Sequence, residues 1–279
     1  MKTVTITVRY LIKWSARIMR FIWDNRKLIQ RLTIREVQAR YKSTMLGLLW
    51  IVVTPLFMLS IYAFVFGNIL KAKWPNSSDS SFEFAIILYC GLIVFMLFSE
   101  FLSRAPNLIL ENVNYVKKVI FPVEILPFVA LGSTLFQAII SYLILLIFCL
   151  FFYGSLHWTV LFVPLIFLPF LTLLIGLGLL LSALGVFVRD IGQFIGVVLT
   201  GLMFISPLFF PLSALPEAVQ PYLYLNPITF IIEQMRDVII WGHLPNWFGL
   251  MIYSLVSIVV AWTGYFFFTK TRKGFADVL

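Results

Sequence analysis

From Ile125 to Val188 the chain runs for 64 residues without a single Asp, Glu, Lys or Arg. As one helix, at ~1.5 Å per residue, this run would reach about 96 Å, roughly three times the hydrocarbon core of a bilayer. It must fold back on itself. Tyr153-Gly-Ser-Leu-His-Trp158 interrupts it with turn-forming and interfacial residues, dividing it into spans near 122–152 and 160–187. A second uncharged run, Ser43 to Leu70, is long enough for a further crossing. With 61% apolar and 12% charged residues, the chain carries more continuous apolar sequence than a soluble core of this length hides. The alternating strands of a membrane barrel are absent. The fold class expected is all-α integral membrane.

The net charge of +9 invites a nucleic-acid reading, but the placement of the charges argues against it. Eleven of the 21 Lys and Arg precede Ser43, next to apolar sequence. Basic residues flanking spans mark the cytoplasmic side. Six spans are expected, about 46–70, 84–103, 122–152, 160–187, 192–212 and 247–268, with both termini cytoplasmic. That topology places 18 Lys and Arg inside and only Lys71, Lys73 and Arg236 outside. Residues 1–45 form a cytoplasmic arm and 46–279 the transmembrane domain. No cleavable signal peptide is expected, since the first long apolar run is too long and too late. Cys90 and Cys149 fall inside spans and read as buried thiols. Asn76-Ser-Ser matches a glycosylation sequon, a pattern too common to weigh. No inverted repeat stands out.

Within the arm, Arg9, Lys13, Arg17 and Arg20 fall inside roughly 80° of a helical wheel, opposite Leu11, Trp14, Ile18, Phe21 and Ile22. A helix lying in the headgroup layer is built this way, although an arm that only obeys the positive-inside rule also fits. From 24 to 42 the cations are spread round the wheel, as suits a helix touched by protein on one side and lipid on another. Pro55 sits inside the first span and would bend it. A polar external loop is expected at 71–83. Glu100 and Arg104 lie four residues apart on one helical face at the inner end of the second span. Residues 104–121 are long enough for a short cytoplasmic helix, and Pro122 is placed to start the third span. Arg189-Asp190 is a tight cytoplasmic turn. Residues 213–246, rich in proline and carrying Glu217, Glu233, Arg236 and Asp237, read as re-entrant or interfacial structure on the outer side, with a short helix from Ile228 to Trp241.

Residues capable of chemistry are sparse. His157 and His243 are far apart in sequence and suggest no metal pair. No carboxylate pair stands in mid-membrane, and for Glu100 and Glu124 salt bridges to Arg104 or Lys117 are a simpler expectation than proton coupling. A GxxxxGK[ST] phosphate loop is missing, so this polypeptide does not bind ATP in that way by itself. Gly178-x-x-x-Ser182 and Gly192-x-x-x-Gly196 allow close helix approach, within one bundle or between subunits. Aromatic residues make up 17% of the chain. Trp50, Tyr62, Tyr89, Tyr142, Tyr222 and Tyr224 are either packing residues or rings that stack on sugars in a wet path.

Four stretches in order carry a family resemblance: RLTIREVQARYKSTMLGLLW (Arg31 to Trp50), NVNYVKKVIFPVEILP (Asn112 to Pro127), the Arg189-Asp190 pair, and SPLFFPLSALP followed by LNPITF and Arg236. Together they resemble the membrane subunit of ATP-binding-cassette exporters, nearest in kind to permeases for O-antigen, capsule or wall teichoic acid. The likeness covers residues 25–275. It implies a homodimer paired with two separate ATPase subunits, which bind the ATP and Mg that this chain does not. It implies ATPase coupling through Arg31, Arg35, Glu36, Arg40, Asn112, Tyr115, Lys117, Lys118, Arg189 and Asp190. A first coupling helix would lie at 105–118. An outer gate is implied around Pro207, Pro211, Pro216, Asn226 and Pro227, and Phe209 joins the aromatic residues of the substrate path. The implied cargo is a lipid-linked polysaccharide, moved among membrane lipids. Rival readings are an exporter of a small drug or lipid, an ATP-independent channel or flippase, and a membrane glycosyltransferase, the last lacking a carboxylate cluster.

Overall fold

The computed structural model describes residues 2–42, 44–69, 74, 81–116 and 121–279; side chains are described from residue 20 onward, apart from 67, 68, 81, 116, 276 and 277. Every regular element among them is helical. The arm is one continuous helix, α1 (Lys2–Tyr41). A 3-10 turn leads into α2 (Trp50–Tyr62), which contains Pro55 and relaxes into a π-helical turn, Ala63–Ile69. The expected loop at 71–83 lies mostly outside the described residues, and α3 (Ser81–Arg104) already begins within it. After two 3-10 turns comes the single turn α4 (Val113–Val116). Helix α5 (Ile125–Tyr153) starts three residues later than Pro122 suggests; the Pro122 carbonyl accepts from Ile125 N at 3.0 Å in the turn before it.

Helices α6 (Val163–Phe187) and α7 (Ile191–Ile205) flank the turn at Arg189-Asp190. The single turn α8 (Gln220–Leu223) and α9 (Thr229–Arg236) follow, and α9 runs on as a π turn to Trp241. Gly242, at φ 68°, supplies the left-handed residue that ends it. Asn246 caps α10 (Trp247–Thr271) by accepting from Gly249 N, and α11 (Phe275–Val278) closes the chain.

Among the described residues, five helices are long and apolar enough to cross a membrane: Gly47–Phe66, Phe82–Asn107, Ile125–Tyr153, Trp158–Phe187 and Trp247–Gly274. The expected fifth span, 192–212, is helical only over Ile191–Ile205, about 22 Å of rise against a core of ~30 Å. Pro207 and Pro211 stop it from extending.

Helix α3 is the centre. From Glu83 to Phe95 every residue is buried, with Phe98 stacking on Phe170 of α6 at 6.4 Å. Gly178 of α6 receives the Phe101 ring of α3, where a Cβ would come within 2.4 Å, and Ser182 is fully buried. The first small-residue pair therefore packs within the bundle. Helices α6 and α10 cross backbone to backbone, since a Cβ on Gly264 would lie 2.0 Å from the Gly176 carbonyl oxygen. Without a water-driven force between helices in lipid, such close approach supplies the packing energy. Gly196, from the second pair, has nothing within 4 Å of its Cβ position. Cys90 and Cys149 are free and buried.

Candidate functional site

Two polar assemblies hold opposite ends of this bundle. At one end the last turns of α1 lie across α3 and α5. Glu36 and Arg40 are one turn apart on α1, and Glu100 and Arg104 are one turn apart on α3. They pair crosswise: Arg40 with Glu100 at 2.5 Å, and Arg104 with Glu36. Ser133 of α5 donates to Glu36 at 2.7 Å and accepts from Arg104 at 3.2 Å, while Gln137 accepts from Arg40 at 3.0 Å. Burial opposes the Arg40 charge, but the Glu100 carboxylate outweighs it and lifts the guanidinium pKa above its ordinary value. The expected pairing of Glu100 with Arg104 is thereby corrected, while Lys117, the other expected partner, lies outside the described residues. Glu100 binds Arg40, not Arg104, and Glu124 binds Arg272 of the carboxy-terminal turn. Periodicity puts Glu100 and Arg104 on one face correctly; packing decides that both point to α1.

Beside this clamp, Arg35 donates to the Tyr115 hydroxyl at 2.7 Å. A polar cavity of about 300 Å³ opens between α1 and the 105–116 segment, lined in part by Arg35, Glu36, Arg104, Glu111, Asn112 and Tyr115. Four of the residues named for coupling, Arg35, Glu36, Asn112 and Tyr115, thus share one recess. Arg40 sits beside it in the clamp. Arg31 is exposed on the same helix, and Lys117 and Lys118 lie outside the described residues. The segment 105–116 consists of 3-10 turns and one α turn rather than a sustained helix. It is seated on α6, where a Cβ on Gly185 would come 2.0 Å from the Pro106 carbonyl. Arg189 and Asp190 are exposed at the α6–α7 turn.

At the other end, Arg236 is the organising residue. Although carried among the external cations of the sequence, it is only 1% exposed. Its guanidinium donates to the carbonyls of Ile87 (3.2 Å), Pro207 (2.6 Å) and Leu208 (3.1 Å) and to Glu233 (2.9 Å), and lies over Trp74 at 4.5 Å. Pro207 and Leu208 belong to the stretch where α7 stops, so the arginine satisfies carbonyls that a broken helix leaves open. Nearby, Asn226 donates to the Ser206 hydroxyl at 2.7 Å and Tyr253 to the Pro227 carbonyl at 2.8 Å. Motif residues recognised in order along the chain therefore meet in space, Ser206 with Asn226 and Pro207 with Arg236. Pro207 and Asn226 are buried, Pro211 and Pro227 half-buried, and Pro216 exposed. Burial pushes the Glu233 carboxyl above its ordinary range against the pull of Arg236, and does the same to Asp237 against His243. His157 packs on Gly242, the neighbour of His243, a proximity invisible in sequence. No cluster of three metal-ligating side chains occurs among the described residues.

The aromatic candidates divide. Tyr62 and Phe209 join one cluster through Phe66, which stacks on Phe209 and Phe84 at 5.6 and 5.7 Å. Tyr89 is a core residue at 1% exposure. Tyr142 lines an apolar recess between α5 and α6. Trp50, Tyr222 and Tyr224 are exposed. Sequence reasoning missed Arg104 as a clamp partner and Arg236 as a buried hub. The i, i+4 spacing of Glu36 with Arg40, repeated in the same order by Glu100 and Arg104, was the available signal for the first.

A surface helix clamped to a bundle of apolar membrane helices defines a polytopic helical membrane protein. The chain belongs to the ABC-2 type transporter family, whose model matches residues 27–240. It is 27% identical to an O-antigen export system permease protein RfbA of Myxococcus xanthus, covering 94% of this chain and 98% of the relative. It is 26% identical to an RfbA of Klebsiella pneumoniae (90% and 95%), and 27% identical to the polysialic acid transport protein KpsM of Escherichia coli (85% and 90%). It is an ABC transporter permease component and a multi-pass integral protein of the inner membrane.

Proposed function

We propose that this chain is the channel-forming permease of an exporter that moves a lipid-linked polysaccharide of O-antigen type, powered by a separate ATPase that binds ATP and Mg. The observation that carries the reading is the clamp. It makes the arm, the central helix α3 and the start of α5 one mechanical unit, beside a recess and an exposed charged turn at the same end. Both termini, the arm and these turns are cytoplasmic in this reading, because the basic residues gather there. Displacement of a docked rigid segment passes directly into packed spans.

Two copies of the chain pair in this reading, with residues 1–45 as the ATPase-facing part and 46–279 as the membrane part. The open small-residue face of α7, with Gly196 and Gly201 free of neighbours, supports a partner there. α7 completes a sixth crossing together with the chain after it, and the segment 213–241 is the re-entrant outer gate. Trp50, Tyr62, Phe209, Tyr222 and Tyr224 offer aromatic surface for sugars. Co-expression with the ATPase encoded beside the gene tests the proposal. A stable two-plus-two complex whose export is uncoupled from hydrolysis by Arg189→Ala/Asp190→Ala supports it. Failure of any ATPase to co-purify, with flux in vesicles indifferent to nucleotide, refutes it.

A further inference from the structure

Distinct from the main core of the bundle, a second and smaller apolar cluster gathers where the chain turns after α10. It holds Ile109 of the 105–116 segment, Val123 before α5, Ala183 of α6, and the fully buried rings of Phe268 and Phe275. Phe268 meets Phe275 edge-on at 5.4 Å, and Phe187, two residues before Arg189, lies against Phe275 at 6.0 Å. Gly274 lets the chain pass beside the Phe187 ring, which would stand 3.7 Å from a Cβ there. Arg272 fastens the approach to this cluster through its ion pair with the buried Glu124. The Arg189-Asp190 turn also rests on residues 106 and 107. A Cβ on Gly185 would come 2.0 Å from the Pro106 carbonyl oxygen, and one on Gly192 would come 3.9 Å from the Asn107 amide. Segments far apart in sequence, 105–116, 185–192 and 272–275, therefore meet in one small apolar body.

We infer that residues 272–275 form a hook that holds the Arg189-Asp190 turn and the 105–116 segment together as one rigid body, with Phe275 its positioning residue. The purpose of the hook rests on the transport reading, in which both held segments are contacts of the ATPase. Contacts that move together deliver a single displacement to the spans. Phe275 touches neither nucleotide nor cargo in that reading; it acts through Phe187 and Ile109. The bundle itself does not need this ring, because α6 and α10 already meet backbone to backbone at Gly176 and Gly264. What the ring adds lies past the end of α6, where Val188 is extended and helical geometry no longer fixes the chain. There a buried side chain from another segment is what sets the position of the turn. Losing a buried phenyl ring shifts the balance between a closed and an open hook by roughly a hundredfold or more.

The test measures, on the full chain in detergent, the distance distribution between nitroxides on Asn114→Cys and Arg189→Cys by pulsed electron paramagnetic resonance. Both positions are exposed, and Cys90 and Cys149 are buried and stay unlabelled. The parent is expected to give one narrow distribution. Phe275→Ala broadens it, and the conservative Phe275→Leu restores most of the narrowness. Phe148→Ala, which removes a ring stacked near Phe82 at the other end of α5, lowers the melting temperature but leaves the distribution narrow. Arg272→Gln, at a 42% exposed side chain, broadens the distribution without opening a cavity and decides the matter if Phe275→Ala does not fold. An unchanged distribution in the hook variants, or equal broadening by Phe148→Ala, overturns the hook with or without an ATPase. The coupling role is read in the co-purified complex, where Phe275→Ala keeps hydrolysis but loses export per ATP, and Phe275→Leu regains it. Unchanged export per ATP in a variant whose distribution has broadened overturns that role. If no ATPase co-purifies, the transport reading falls, while the distance measurement still supports or overturns the hook.

Discussion

Replacing Arg236 by methionine is the sharpest test of how the α9 end of the bundle is held. The side chain is 1% exposed and has four hydrogen-bond acceptors. The Ile87 carbonyl lies inside α3 and keeps its helical partner, so its loss is minor. Pro207 and Leu208 lie beyond the end of α7, and each carbonyl left unpaired and buried costs ~1–3 kcal/mol. Glu233, 27% exposed at its side chain, loses the cation that compensates its charge, which for a buried pair costs ~3–5 kcal/mol when fully enclosed and less here. Relief from burying the arginine itself offsets part of the total. We expect Arg236→Met to cost about 3–6 kcal/mol, a fall in melting temperature on the order of 10 °C for a chain of this length.

The assay is thermal unfolding in detergent followed by size-exclusion fluorescence, with limited proteolysis across 206–228. Glu233→Gln/Arg236→Met should recover part of the loss, because the stranded carboxylate goes with its partner. Gly91→Ala, whose Cβ would stand 3.0 Å from the Arg236 guanidinium, should reproduce a milder version. A melting shift for Arg236→Met below about 3 °C, with the 206–228 segment still protected, would refute the account of Arg236 as the residue that ties α9 to the end of α7.

Three further outcomes follow from the packing. Glu36→Arg or Arg104→Glu alone should weaken the arm's attachment, and the two together should restore much of it. A double-mutant cycle on melting temperature is expected to give a coupling of at least ~1 kcal/mol, and additivity would mean the pair is incidental. Gly264→Leu drives a side chain into the Gly176 backbone and should abolish the stable bundle, whereas Gly196→Leu meets open space and should leave the melting temperature within about 2 °C. If Gly196→Leu nonetheless shifts the chain from dimer to monomer by light scattering, α7 is at the subunit contact. Arg189→Ala/Asp190→Ala touches two exposed residues and should alter stability by less than ~0.5 kcal/mol; a larger effect would show the turn to be structural.

Hydropathy and charge along the chain were enough to establish a helical membrane protein, the positions of five of its spans, a basic arm and a short helix before the last span. Those properties are local: a span is a run of apolar residues, and an orientation is a count of cations beside it. Even the motif stretches were legible, because each is contiguous. The choice of partner was not. Glu36 and Arg104 are 68 residues apart, and Arg236 and Ile87 are 149 apart. Nothing in either neighbourhood says which helices will lie side by side. Sequence placed Arg236 outside by counting charges, whereas packing buried it under Trp74 because the broken end of α7 offered carbonyls and no water to satisfy them. The length of α7 was likewise decided in three dimensions. Its apolar composition continues past Ile205, but the prolines and the Ser206–Asn226 bond redirect the chain there. In a bilayer the apolar pattern selects helices, and the few polar groups, each needing a partner, select how those helices meet.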